Sequence, residues 1–215
     1  MIRTSPLTCD PLVLPLRDGT PVLVRAVGPD DKIRLQDGLS RMSTWSIYRR
    51  FARTVSRLTA EELRYLTEVD QENHIAWGAV DPSDPHETGL GISRLIRDPY
   101  CRTCAEVAVA VVDEYQQLGL GTILLATMVA LARARGIETL RAVVLPDNYA
   151  VLAWLSRLGA RCSGDGAQTT LDLLPGDPLP ANRTARRFQE VLEQVESAWT
   201  RDGRYAYLRE VNGGA

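Results

Sequence analysis

The sequence predicts an α/β domain in which helices flank a mixed sheet. Three observations carry that prediction. Residues 105–112 are almost wholly apolar from Val107 to Val112, as expected of a central strand buried on both faces. A short turn with two glycines, Gly119 and Gly121, follows. Residues 121–135 are then rich in Ala and Leu and read as a buried helix, with Gly136 placed for a C-terminal cap.

The remaining elements follow in chain order. Residues 1–16 are Pro-rich and read as irregular, and residues 21–27 read as a strand with Val22 and Val24 on one face. Pro29-Asp30-Asp31 opens a helix, because Pro and acidic side chains favour a first turn; Ile33, Leu35 and Leu39 supply its apolar positions. A second helix covers residues 43–55, and a third begins at Thr59, which has capping-box spacing to Glu62. Residues 73–80 and 89–96 read as strands around the turn-rich Asp81-Pro82-Ser83-Asp84-Pro85-His86. Residues 139–145 form a strand with Leu140, Ala142 and Val144 alternating. Residues 148–158 form a helix closed by Gly159, and residues 169–173 a last strand. Residues 174–180 read as a linker before a final helix over 183–199. Its stripe of Phe188, Val191, Leu192, Val195 and Trp199 predicts docking on the domain or on a second subunit, as in a homodimer.

Composition narrows the function classes. The 215 residues suit one domain with a small appendage, and 45% hydrophobic with 24% charged residues is ordinary for a globular protein. A net charge of −2 argues against a nucleic-acid binder. No apolar run approaches the roughly 18 residues that a membrane span needs, and the N-terminus lacks a signal-peptide stretch, so a cytoplasmic protein is expected. Four cysteines do not make a disulfide framework. Cys101 and Cys104 form a single Cys-x-x-Cys, but His74 and His86 are the only histidines, so no metal site is expected. The expectation is two reduced thiols near the start of a strand.

The Gly-rich run Gln116-Gln117-Leu118-Gly119-Leu120-Gly121-Thr122 admits three phosphate-binding patterns. A P-loop requires a Lys after the second Gly, and none follows Gly121. A dinucleotide fingerprint requires Gly or Ala where Leu124 stands. The pattern Gln/Arg-x-x-Gly-x-Gly/Ala remains. Its physical basis is general: glycine lets an anion approach the backbone, and the free N–H groups of a helix's first turn face that anion. The competing reading is a turn that needs glycine only for geometry.

This run resembles the coenzyme A pyrophosphate motif of the GNAT superfamily of N-acetyltransferases. The resemblance implies an acyl-CoA N-acyltransferase fold: a mixed, mostly antiparallel sheet flanked by helices, here with an extra C-terminal helix. It implies acetyl-CoA as co-substrate. The amides of Leu118, Gly119, Leu120, Gly121 and Thr122, together with Gln116 and Gln117, would hold the pyrophosphate. The backbone of Ala110, Val111 and Val112 would pair with the pantetheine amides, splaying this strand from the next. Asn148, with Gly159 eleven positions on, matches the family's second cofactor motif, though Asn148 can equally be a helix cap. The family's frequent tyrosine acid is replaced by Leu155, and the aromatic after the glycine by Ala160.

The N-terminal half narrows the resemblance. Ser43-Thr44-Trp45-Ser46-Ile47-Tyr48-Arg49-Arg50-Phe51, after Leu16-Arg17-Asp18-Gly19 and before Leu58-Thr59-Ala60-Glu61-Glu62-Leu63, is similar to the Pat-type bacterial protein lysine acetyltransferases. The resemblance covers residues 14–162 and implies an acetyltransferase domain over 14–174, with a linker and amphipathic helix over 175–215. It implies Glu106 as general base for a lysine amine. Such a base is needed because a free lysine, with pKa near 10.4, is about one part in a thousand nucleophilic at neutral pH. Glu106 at an exposed strand end, paired with Arg94 or Arg102, is the competing reading. Tyr48 and Phe51 are expected in the core, while Arg49 or Arg50 could meet substrate. The acceptor is expected to be a protein lysine; a small amine, or a non-catalytic coenzyme A sensor, stays open.

Overall fold

A computed structural model of the chain describes residues 9–163 and 169–201. Residues 1–8 of the stretch read as irregular, and the tail beyond 201, lie outside the described residues. The strands are β1 (Leu12–Pro15), β2 (Pro21–Ala26), β3 (His74–Val80), β4 (Gly89–Arg97), β5 (Cys104–Val111), β6 (Thr139–Val144), β7 (Arg161–Ser163) and β8 (Thr169–Leu173). The helices are α1 (Lys32–Ser40), α2 (Thr44–Phe51), α3 (Ala60–Thr67), α4 (Leu120–Ala134), α5 (Tyr149–Arg157) and α6 (Arg183–Arg201). The strands form one sheet of order β1-β2-β3-β4-β5-β6-β8-β7, antiparallel except between β5 and β6. This is the mixed, mostly antiparallel sheet with flanking helices that the sequence implies.

Two strands correct the sequence reading. Residues 12–15, read as irregular, form β1, which pairs with β2 from Leu12↔Val24 to Pro15↔Pro21. Alternate burial of Leu12 and Leu14 drives it. Residues 161–163 form the edge strand β7 on β8. The helix expected from Pro29 begins as a 3₁₀ turn over Pro29–Asp31 and becomes α-helical at Lys32. The helix expected over 43–55 ends at Phe51, because Ala52 takes a left-handed conformation with φ 52°. The capping box at Thr59 is present: its hydroxyl accepts from the Glu62 amide, and Glu62 accepts from the Thr59 amide.

The two faces of the sheet are covered differently. On one lie α4 and α6. Helix α4 is buried almost all round, from Leu120 to Ala134, and Phe188, Val191, Leu192, Val195 and Trp199 of α6 join the same core. The apolar stripe of α6 therefore docks within its own chain, closed by Trp199 donating to the Asp10 carbonyl at 3.1 Å and by an Arg133–Glu196 pair at 2.9 Å. On the other face, α1 to α3 pack through a small cluster of Leu39, Ile47, Val55 and Leu58. Among the described residues no helix is long and apolar enough to cross a membrane.

Candidate active site

The site is built around the end of β5. Ladder pairing between β5 and β6 runs only over Cys104↔Thr139, Ala105↔Leu140 and Glu106↔Arg141. Beyond Glu106, β5 stays bound to β4 as far as Gly91↔Val111, while β6 turns to β8 as far as Val144↔Thr169. A wedge opens between them, and the β5 backbone groups facing it have no ladder partner, which buried backbone does not tolerate without water or a ligand. Gly91 lets α4 start close to this strand. A Cβ there would come within 2.9 Å of the Ala110 carbonyl and 3.0 Å of Leu124.

The Gly-rich turn stands at the wide end of the wedge. Gly119 occupies the N-cap of α4 with φ 96°, a left-handed geometry that disfavours other residues. The amides of Leu118, Gly119, Leu120 and Gly121 have no backbone acceptor, as expected at a helix N-terminus. The Thr122 amide is different: it donates to the Gly119 carbonyl at 3.0 Å. A Cβ on Gly121 would meet nothing within 4 Å, so open space lies over the turn. The Gln117 carbonyl accepts from Arg17, whose own amide donates to the Leu118 carbonyl at 2.9 Å. Sequence reading missed Arg17, because only the β1–β2 hairpin carries it to the turn. The Gln116 side chain binds protein groups: it donates to the Val111 carbonyl, to Asp113 and to the Ser46 hydroxyl. It ties the turn to α2 and to the end of β5.

Asn148 lies at the N-cap position of α5, but its side chain makes no capping bond. It is buried with no side-chain hydrogen bond to the described residues, which removes the helix-cap reading. Leu155 is 5% exposed and belongs to the core, so no acid acts from that position. Tyr149 points outward, at 75% exposure.

Glu106 is exposed on β5, on the face shared with Ala108 and Ala110. Neither Arg94 nor Arg102 pairs with it. Its register partner Arg141 is turned to Asp172, at 3.0 Å and 3.3 Å, so no cation among the described residues lies within 4.0 Å of its carboxylate. Arg50 lies near enough to interact with it electrostatically.

Between α1–α3 and the sheet runs a cavity of about 100 Å³ whose floor includes Ala108, Ala110 and Val112. A balanced ion network lies against one part of it. Arg25 donates to both oxygens of Asp31, at 2.9 Å and 2.8 Å, and Glu87 accepts from Arg25 and Arg34. Burial alone would push the Asp31 carboxyl up, but Arg25 and the Gly28 amide hold it below its usual range. Arg94 and Arg50 line another part. Arg94 donates to the Leu66 carbonyl at 2.8 Å and to His74. Burial and the neighbouring Arg50 guanidinium lower Arg94 to about 10. Burial lowers His74 to about 4, and Arg94 adds to that effect.

The aromatic segment before the site departs from expectation. Tyr48 is 39% exposed and stacks on Trp45, with Arg49 over the Trp45 ring at 4.8 Å, while Phe51 packs on the small cluster. Cys101 and Cys104, expected as free thiols, are joined by a disulfide across the turn between β4 and β5.

Comparison with known proteins agrees with this geometry. The family model described as "Acetyltransferase (GNAT) family" matches residues 38–160. The acetyltransferase Pat of Mycolicibacterium smegmatis is 32% identical over 195 residues, covering 87% of this chain and 55% of that protein. The chain thus spans little more than half the length of that relative. An acetyltransferase of Pseudomonas aeruginosa is 29% identical over 148 residues, 67% of this chain and 77% of that protein. Among solved structures, the GNAT domain of S. lividans PAT superposes with a TM-score of 0.71 at 26% identity, covering 76% of this chain and 96% of that one. A splayed strand pair ending at a helix N-terminus with free amides, within a family match over more than half its length, leaves one assignment: the chain belongs to the acetyltransferase (GNAT) family.

Proposed function

We propose that this protein transfers acetyl from acetyl-CoA to the ε-amine of a protein lysine by direct attack, with Glu106 as general base. The observation that carries the reading is the halt in β5–β6 pairing at Glu106, which opens a wedge toward the Gly-rich turn that begins at Gln116. On the side that β6 leaves, the wedge offers β5 backbone groups between Val107 and Val111 to an extended ligand bearing amides, which is what a pantetheine arm is, whereas Val112 is already bonded to the Leu90 carbonyl and the Tyr115 amide. The amides of Leu118, Gly119, Leu120 and Gly121 then receive the pyrophosphate at the favourable end of the α4 dipole. Asn148 faces the arm from the far side of the wedge. An amide near Ala110 would polarise the thioester carbonyl. The amine enters along the β5 face from the Glu106 end. Glu106 takes one proton from the lysine ammonium, directly or through water; the freed amine nitrogen bonds to the acyl carbon as the carbon–sulfur bond breaks, and the departing thiolate takes up the second proton lost by the nitrogen, so that coenzyme A leaves as a thiol.

The lysine acceptor is favoured because the N-terminal half is similar to Pat-type enzymes and because Glu106 stands exposed, where a protein side chain can reach it. The test is incubation of cell lysate with the protein and isotope-labelled acetyl-CoA, read by mass spectrometry, with Glu106→Gln in parallel. Label on protein lysines, lost with Glu106→Gln while acetyl-CoA affinity holds, is expected. Label on small amines alone would remove the protein acceptor. Undiminished turnover in Glu106→Gln would remove the base.

A further inference from the structure

Arg50 and Arg94 are adjacent, largely enclosed guanidiniums, and among the described residues no carboxylate lies within 4.0 Å of either. Elsewhere in the same cavity the chain balances its arginines: Arg25 and Arg34 share Asp31 and Glu87. Around Arg50 and Arg94 it does not. Arg94 is held by a carbonyl and an imidazole, both neutral groups. Arg50 makes no hydrogen bond to the described residues; its guanidinium rests 5.4 Å from the Phe51 ring and opens to the cavity. Two neighbouring cations in a poorly hydrated site repel one another, and an unpaired buried charge is costly. A planar fork with unused donors in such a place matches the geometry of a carboxylate.

We propose that Arg50 and Arg94 form a carboxylate subsite for the acceptor, so that the reacting amine belongs to a molecule with a carboxylate close to that amine. The position favours the acceptor over the acyl donor. Arg94 is level with Ala108 in the β4–β5 register, and Arg50 acts electrostatically on Glu106, so both sit toward the proposed base and away from the Gly-rich turn. Exposed Tyr65 lies against His74, with ring centroids 4.9 Å apart and planes tilted by 45°, and borders the same cluster, which places it near solvent, where an acceptor enters. In a protein acceptor, the carboxylate is an Asp or Glu beside the lysine; in a small one, it is that of an amino acid. The inference rests on the reading of the β5 face as the acceptor side.

The experiment gives the full chain acetyl-CoA and acceptors matched but for one carboxylate. One pair is L-lysine against cadaverine; the other is a lysine peptide with a neighbouring glutamate against its glutamine counterpart. The carboxylate member of at least one pair should show a kcat/KM about tenfold higher. Arg50→Gln should erase the difference through KM, and Arg50→Lys should restore part of it. Because the Arg50 side chain makes no hydrogen bond to the described residues, the thermal midpoint of Arg50→Gln should not fall. Equal kcat/KM within both pairs, or a preference that survives Arg50→Gln, overturns the subsite. A preference confined to succinyl-CoA over acetyl-CoA, and lost in Arg50→Gln, moves the carboxylate to the donor and overturns the acceptor assignment. Absence of turnover on every acceptor instead defeats the functional reading. The subsite is then decided by titrating glutarate while following the Arg50 Hε–Nε NMR signal: a saturable shift supports it, and no shift overturns it.

Discussion

The two faces of the sheet are made of different material. Toward α4 and α6 the packing is continuous and apolar; Leu124, Leu131, Phe188 and Val195 are within a few per cent of full burial. Toward α1–α3 the apolar cluster is small, and the space beside it holds a cavity whose mostly apolar lining also includes four arginines and one aspartate. Close packing maximises burial and leaves no room for a ligand, whereas an opening over β4 and β5 gives up burial for access. The contrast assigns stability to one face and recognition to the other.

That division can be broken by substitution. The largest effect is expected at the recognition face itself, where Glu106→Gln should lower turnover by about 10²–10⁴-fold with stability changed by no more than about 0.5 kcal/mol. A comparable loss of stability would deny the separation. On the opposite face, Leu131→Ala removes a fully buried side chain and should cost about 2–5 kcal/mol in denaturant unfolding, while turnover per folded molecule holds. A smaller effect is expected at the Gly-rich turn. Gly121→Ala puts a methyl into open space, so unfolding stability should hold or rise by up to about 1 kcal/mol. Acetyl-CoA affinity, measured by calorimetry, should fall because the methyl fills the space over the anion-binding amides. Unchanged affinity would place the pyrophosphate elsewhere.

The smallest effect is at the His74–Arg94 contact and is read by pH. His74 protonates at about 4 in the folded chain, against about 6.5 in an unfolded one. The unfolded state therefore binds more protons between those values. The stability contributed is complete above about pH 6.5 and is lost as pH falls toward 4. His74→Gln keeps an acceptor for Arg94 but does not titrate, so its unfolding free energy should depend less steeply on pH in that window. Parallel pH profiles for the two proteins would show that His74 is not held neutral.

Much of the fold is local and hence legible. The capping box at Thr59, the Gly-rich turn before α4 and the stripe on α6 each declare themselves within about one or two helical turns. The short strands do not. β1 has four residues and β7 three, too few for a period-2 pattern to stand out; each exists because a partner strand supplies its hydrogen bonds. Within the candidate site, Glu106 and the Gly-rich run could be named from their neighbours in sequence. Arg17 and Arg94 could not, since each meets its partners across a hairpin or a register.

The sequence by itself determined the apolar β5, the glycine turn after it, the buried α4 and the presence of Asn148 at the start of α5. These depend on side-chain periodicity and backbone freedom, which act over a few residues. Only the tertiary structure decided that β6 leaves β5 after Glu106, that Arg141 turns to Asp172 and away from Glu106, and that Arg50 and Arg94 line one cavity with no carboxylate of the described residues within 4.0 Å of either. Pairing and charge compensation are contacts between distant segments, and a linear sequence does not say which of its 27 acidic residues will face which of its 25 basic ones.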